Sequence, residues 1–120
     1  MTGVQTCALP ISLDNLKDQG VKLLITADCG ITNIQEVAHA KELGLQVILT
    51  DHHQPLPELP QADCVINPKL SEGYPFSDLC GAGVAFKLCC ALAGEHTVSK
   101  FIDIAALATV ADIVDRKSVV

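Results

Sequence analysis

The chain has no tryptophan, one tyrosine, three phenylalanines and one methionine in 120 residues. Since 49% of the residues are nonetheless hydrophobic, the core must be built from Val, Ile, Leu and Ala. Positive charge is also scarce. Eight Lys and Arg face fourteen Asp and Glu, a formal net charge of −6. That excludes a simple electrostatic nucleic-acid module, which needs a basic footprint. It does not exclude a protein that holds phosphates through metal ions, because acidic ligands make the bare chain more negative than the loaded site. No apolar run approaches the roughly 20 residues of a membrane span, so a soluble protein with no membrane partner is expected. The six cysteines, at 7, 29, 64, 80, 89 and 90, include no C-x-x-C pair, which removes zinc knuckles and dithiol redox sites. Cys89 and Cys90 fall in an apolar helical pattern, as buried thiols would. Reduced cysteines and an opening that fails as a signal peptide predict a cytoplasmic protein.

At this length the chain is one domain or part of one. "VKLLITAD" (21–28) is a near-continuous apolar run ending in an acid, as in a strand buried on both faces of a parallel sheet. "TNIQEVAHAKELG" (32–44) reads as a helix, with Thr32 and Gln35 in capping-box spacing and Gly44 placed to stop it. "LQVILTD" (45–51) is a second buried strand, which completes a βαβ unit. "DCVIN" (63–67) is a third strand after a loop stiffened by Pro55, Pro57 and Pro60. Residues 68–78 read as loop, and residues 81–94 and 99–112 as two apolar helices joined by a glycine-containing hinge. The predicted fold is α/β, a parallel sheet of βαβ units followed by a helical segment.

Ligand sites in open parallel sheets form outside the carboxyl ends of the strands. Two predicted strands end in acids, Asp28 and Asp51, and one βαβ unit puts both on the same edge. His52 and His53 follow directly. Carboxylate oxygens with imidazole suit a divalent metal and favour a transition metal over calcium. Taken singly, each residue also has an ordinary reading. A strand-end Asp often caps a turn, and adjacent loop histidines are often polar surface. The glycines of "GAG" (81–83) suit a loose helix start. His39 reads as solvent-facing, His96 as a loop residue and Lys87 as a surface side chain lying along apolar neighbours.

"TDHHQP" and "ITADCGITN" resemble two signatures of the DHH phosphoesterase superfamily. "VINPKL", "YPFSDLCGAGVAFKL" and "ATVADIVD", in that order, are similar more narrowly to its single-strand-specific 5′-to-3′ DNA exonucleases. The resemblance covers about residues 13–115. It implies a Rossmann-like DHH domain and a centre of two Mn²⁺ or Mg²⁺ ions, with single-stranded DNA as substrate. Asp28 would bridge the metals, His52 would be a direct ligand, and Asp51 would belong to the cluster and orient it. His53 would face the substrate phosphate, and Asp112 would bind metal from the far helix. The backbone N–H groups of Gly81 and Gly83 would face a phosphate at the start of their helix.

The match is partial. The superfamily's first motif, an Asp-x-Asp, has no counterpart in this chain, and neither does its second, substrate-clamping domain. "MTGVQTCALPIS" and "RKSVV" lack period and caps and resemble translated sequencing-adapter read-through. Residues 1–12 and 116–120 are therefore expected to be non-native tails around a partial catalytic domain at 13–115, inactive alone. Two other readings are a DHH-family phosphoesterase acting on nano-RNA, nucleotides or cyclic dinucleotides, and a non-catalytic α/β binding module.

Overall fold

The computed structural model describes residues 9–112 of the chain, with side chains from residue 12 onward. Helix α1 (Leu9–Asp18) leads into strand β1 (Leu23–Ile25), helix α2 (Ile34–Glu42), strand β2 (Gln46–Thr50) and strand β3 (Cys64–Ile66). Helices α3 (Gly81–Ala93), α4 (Glu95–Val98) and α5 (Ile102–Ala111) follow, with 3₁₀ turns at Pro68–Leu70 and Ser99–Phe101. The three strands form one parallel sheet in the order β1-β2-β3, as the βαβ pattern requires, with Ile25 opposite Ile48 and Thr50 opposite Ile66.

Both helices on the N-terminal side stop in the same way. After α2, the Gly44 amide donates to the Lys41 carbonyl and the Leu45 amide to the Ala40 carbonyl. After α1, Gly20 and Val21 repeat this with Lys17 and Leu16. Gly44 and Gly20 hold φ near +80°, which glycine adopts without steric cost. Each such stop turns the chain directly into a strand.

The aliphatic core forms where these elements meet. Leu13 of α1, Val37 and Ala40 of α2, Leu45, and Val47 and Leu49 of β2 are all buried, with Leu16, Leu24 and Val65 packed against them. Val47 and Leu49 share one face of β2 because side chains alternate along a strand. The start of β3 is tied down by Asp63, whose carboxylate accepts from the Lys41 ammonium at 2.6 Å and from the Val47 amide at 2.7 Å.

Several expectations need correction. β1 is not buried on both faces: Leu23 and Ile25 are exposed because nothing among the described residues covers the face they share. The Thr32–Gln35 capping box is not formed. α2 starts at Ile34 with Asn33 at its N-cap, and no side chain makes the capping bond. The hinge between the last two helices contains the short helix α4, which includes His96. Cys89 is exposed, not buried, because it lies on the outward side of α3. His39 is half-buried and sits 3.0 Å from Asp14 of α1, a helix that the sequence pattern did not predict. Of the expected tails, residues 9–12 lie in α1, and residues 1–8 and 116–120 lie outside the described residues.

Candidate metal centre

The site begins where the β1–β2 ladder ends. Past β1, the chain makes a tight loop in which the Thr26 hydroxyl donates to the Cys29 carbonyl at 2.7 Å. The Thr50 hydroxyl donates to the Thr26 carbonyl, so the two strand ends are stitched together. Within this loop Asp28 has φ of 64°, the one left-handed non-glycine among the described residues. Asp tolerates that region better than most residues, and here it turns the carboxylate outward, 63% exposed.

Asp51 ends β2 in the opposite state. It is 1% exposed, and both of its oxygens are engaged. Oδ2 accepts from the Ile31 amide at 2.8 Å, and Oδ1 from the amides of His52 and His53 at 2.7 and 3.1 Å. Oδ1 also lies 2.7 Å from His53 Nδ1. Burial alone would raise its pKa, but the donors of Ile31, His53 and His52 outweigh burial and hold it below the usual carboxylate value. Asp51 is therefore an anion at the hub of two loops.

His52 is 12% exposed and lies between two acids, its Nε2 3.0 Å from Asp28 Oδ1 and its Nδ1 3.6 Å from Asp112 Oδ2. His53 is mostly exposed, and its ring lies 4.4 Å from that of His52. Ligand atoms of Asp28, Asp51, His52 and His53 fall within 4.8 Å of one another. Asp112 reaches the group from the C-cap of α5. The five residues read from the sequence as catalytic or metal-binding thus come together at one sheet edge.

Gly81 and Gly83 lie at the start of α3. A Cβ on Gly81 would collide with the Asp28 carboxylate, so the start of α3 packs directly against that side chain. The Gly83 amide donates to the Cys80 thiol, which caps the helix. Sequence reasoning gave no role to Asn67 or Lys69. The Asn67 amide donates to the His53 carbonyl at 2.9 Å, and the Lys69 ammonium donates to the His52 carbonyl. Their sequence signal was the "VINPKL" stretch, which carried the resemblance but assigned neither residue a task.

The donor set fits a hard to borderline divalent cation: carboxylate oxygens plus imidazole, with no thiolate. Desolvation, followed by the negative charges of Asp51 and Asp28, pushes the nearby Cys29 thiol up, so it stays protonated. A neutral imidazole has only one N–H, yet both His52 nitrogens face carboxylates. A cation in the cluster would satisfy the nitrogen that carries no proton.

The chain is similar to known proteins over most of its length. This chain is 50% identical over 101 residues to the single-stranded-DNA-specific exonuclease RecJ of Bacillus subtilis, covering 83% of this chain and 13% of that protein. It is 40% identical over 120 residues to the RecJ of Salmonella typhimurium, covering 88% and 21%. The crystal structure of RecJ in complex with Mn²⁺ from Thermus thermophilus superposes with a TM-score of 0.70 at 34% identity, over 90% of this chain and 16% of that one. A structure of exonuclease RecJ bound to manganese gives a TM-score of 0.71, also at 34% identity, over 92% and 28%. The chain thus spans about a fifth or less of the curated relatives just named. The model of the DHH family N-terminal domain matches residues 4–111, nearly the whole chain and every residue of the cluster but Asp112. With that match joined to the strand-end acids and the paired histidines, the chain belongs to the DHH family.

Proposed function

We propose that this chain supplies part of the metal centre of a 5′-to-3′ exonuclease that hydrolyses phosphodiester bonds in single-stranded DNA during repair and recombination. The observation that carries this reading is the convergence of Asp28, Asp51, His52 and His53 within 4.8 Å. Relatives named as single-stranded-DNA-specific exonucleases support the substrate class, and the manganese-bound RecJ structures support the ion. The five described cysteines are unpaired, which supports a reducing, cytoplasmic setting. Among the described residues no helix is long and apolar enough to cross a membrane.

In this reading Asp28, Asp51, His52 and Asp112 would hold Mn²⁺ or Mg²⁺, with Asp28 supplying the most exposed carboxylate of the group. When bound, such ions acidify a water and neutralise charge on the phosphoryl oxygens. Asp51 fixes the loop and orients the His53 ring through Nδ1, leaving His53 Nε2 to meet a phosphate oxygen. Gly81 keeps Asp28 in place by leaving no space behind it.

The test compares the chain alone, a longer polypeptide containing it, and that polypeptide with His53→Ala, on 5′-labelled single-stranded DNA with Mn²⁺. Expected are no digestion by the chain alone, release of nucleotides from the 5′ end by the longer protein, and slowed turnover with unchanged melting for the variant. Digestion only of short RNA or cyclic dinucleotides would replace this reading with a different phosphoesterase. Indifference to His53→Ala would remove that residue from the mechanism.

A further inference from the structure

Strand β3 ends one step too early for the loop it supports. The Asp51 amide donates to the Ile66 carbonyl, in register with Thr50 opposite Ile66. In a parallel ladder the next donor on the β3 side would be the amide of residue 68. Residue 68 is proline and has no N–H. Its acceptor would be the Asp51 carbonyl, so the β2–β3 ladder stops at Asp51 and does not extend to His52 and His53.

Two side chains replace it. Pro68 disfavours a helical conformation at the residue before it, and Asn67 is extended at φ −146° and ψ 123°. Asn67 is buried. Its Oδ1 accepts the Lys69 amide at 2.9 Å, closing the 3₁₀ turn, while its Nδ2 donates to the His53 carbonyl. That turn sends the Lys69 side chain back over β2, where its ammonium donates to the His52 carbonyl. Asp51 Oδ1 already takes both amides of the pair. All four backbone polar groups of His52 and His53 are thereby fixed, two by the acid before them and two by Asn67 and Lys69.

We propose that Asn67 and Lys69 are positioning residues of the metal centre, setting the directions of the His52 and His53 rings through the peptide groups between them. This rests on the reading of those histidines as site residues, but it makes its own claim about the ion-free protein. Lys69 is also a cation beside a cation site, so its two possible effects have opposite signs. As a bystander charge it would repel Mn²⁺, and removing it would tighten binding. As a positioning residue it orients a ligand, and its loss should weaken binding by about 10-fold, as for partners that orient metal-bound histidines.

The test uses the full chain with Lys69→Met, Lys69→Arg and Asn67→Asp. The last keeps the cap acceptor at Oδ1 but removes the donor to His53. Side-chain ¹⁵N–¹H spectra without metal report the ring environments of all four histidines. The expected result is displaced His52 and His53 signals in Lys69→Met and Asn67→Asp, unmoved His39 and His96 signals, and recovery in Lys69→Arg. Mn²⁺ affinity, read from the free-ion paramagnetic signal, should fall in Lys69→Met and recover in Lys69→Arg. Unmoved His52 and His53 signals in a folded Lys69→Met, or tighter Mn²⁺ binding, would overturn the proposal. If Asn67→Asp does not fold, the half-buried Lys69 position decides the matter by itself. If the wild-type chain binds no Mn²⁺, the metal reading fails, while the metal-free spectra still judge the clamp.

Discussion

Asp28 and Asp51 end neighbouring parallel strands in nearly the same words, "TAD" and "LTD", yet the fold treats them as opposites. Asp28 projects from a left-handed backbone position with its carboxylate largely in solvent, touching His52 on one side and the start of α3 on the other. Asp51 is enclosed and accepts from three amides, with the His53 ring completing its contacts. The first has lone pairs left for a ligand. The second has spent most of its own on the chain. A two-acid edge in an α/β protein is therefore not two equivalent ligands: one acid builds the loop from which the other can work.

The sharpest way to break this contrast is Asp51→Ala. It strips charged acceptors from buried amides of Ile31 and His52, and should cost about 3 kcal/mol, read as a lowered urea midpoint with little change in slope. A loss under about 0.5 kcal/mol would place Asp51 with Asp28 as a mere surface acid. Asp28→Asn should reverse the pattern, because Asn tolerates positive φ and the side chain is exposed. Stability should stay within about 0.5 kcal/mol, while Mn²⁺ affinity falls about 10-fold or more by titration calorimetry. Tight binding indifferent to this change would locate the ion elsewhere.

Gly81→Ala sharpens the comparison further. The new methyl would need the space Asp28 occupies. Swinging the carboxylate toward solvent would still leave the Asp28 Cβ 2.6 Å from the new methyl, so backbone must shift and the cost should be about 2 kcal/mol. Mn²⁺ binding should weaken several-fold, and unchanged binding would show that Asp28 is not held by α3. The smallest effect is in acid. Because the folded-state pKa of Asp51 lies below its ordinary 3.8, its contribution is complete above that value and is lost as pH falls through the folded value. Below pH about 4 the melting temperature should fall more steeply with falling pH for the wild type than for Asp51→Asn; parallel pH profiles would mean that the depressed pKa adds no stability.

Much of this site was legible in the residues themselves. Strand-end acids, the His-His pair and parallel topology follow from runs of residues and from period, which are local. What could not be read depends on partners far along the chain. Thr32 and Gln35 have capping-box spacing, but the loop held by Asp51 through the Ile31 amide delays the helix to Ile34. The apolar run of β1 suggested burial on both faces, yet burial is a property of neighbours, and nothing among the described residues covers Leu23 and Ile25. The family resemblance set Gly81 facing a phosphate, but its closeness to Asp28 could not be read from the sequence, because Asp28 lies 53 residues earlier in the chain. Asn67 and Lys69 carried no periodic or compositional signal, since their task is set by a proline that cannot donate.

Asp112 occupies the C-cap of α5, the electronegative end of the helix. An acid there is disfavoured by about 0.3–1 kcal/mol, and Asp112 also lies close to His52 and the Asp28 carboxylate beyond it. The last turn of α5 is thus built against its own electrostatics unless positive charge sits in front of it. A cation at the cluster would offset both penalties at once. Amide exchange in the final turn of α5 should slow on adding Mn²⁺, so that a helix end 60 residues downstream of His52 in sequence reports whether the centre is filled.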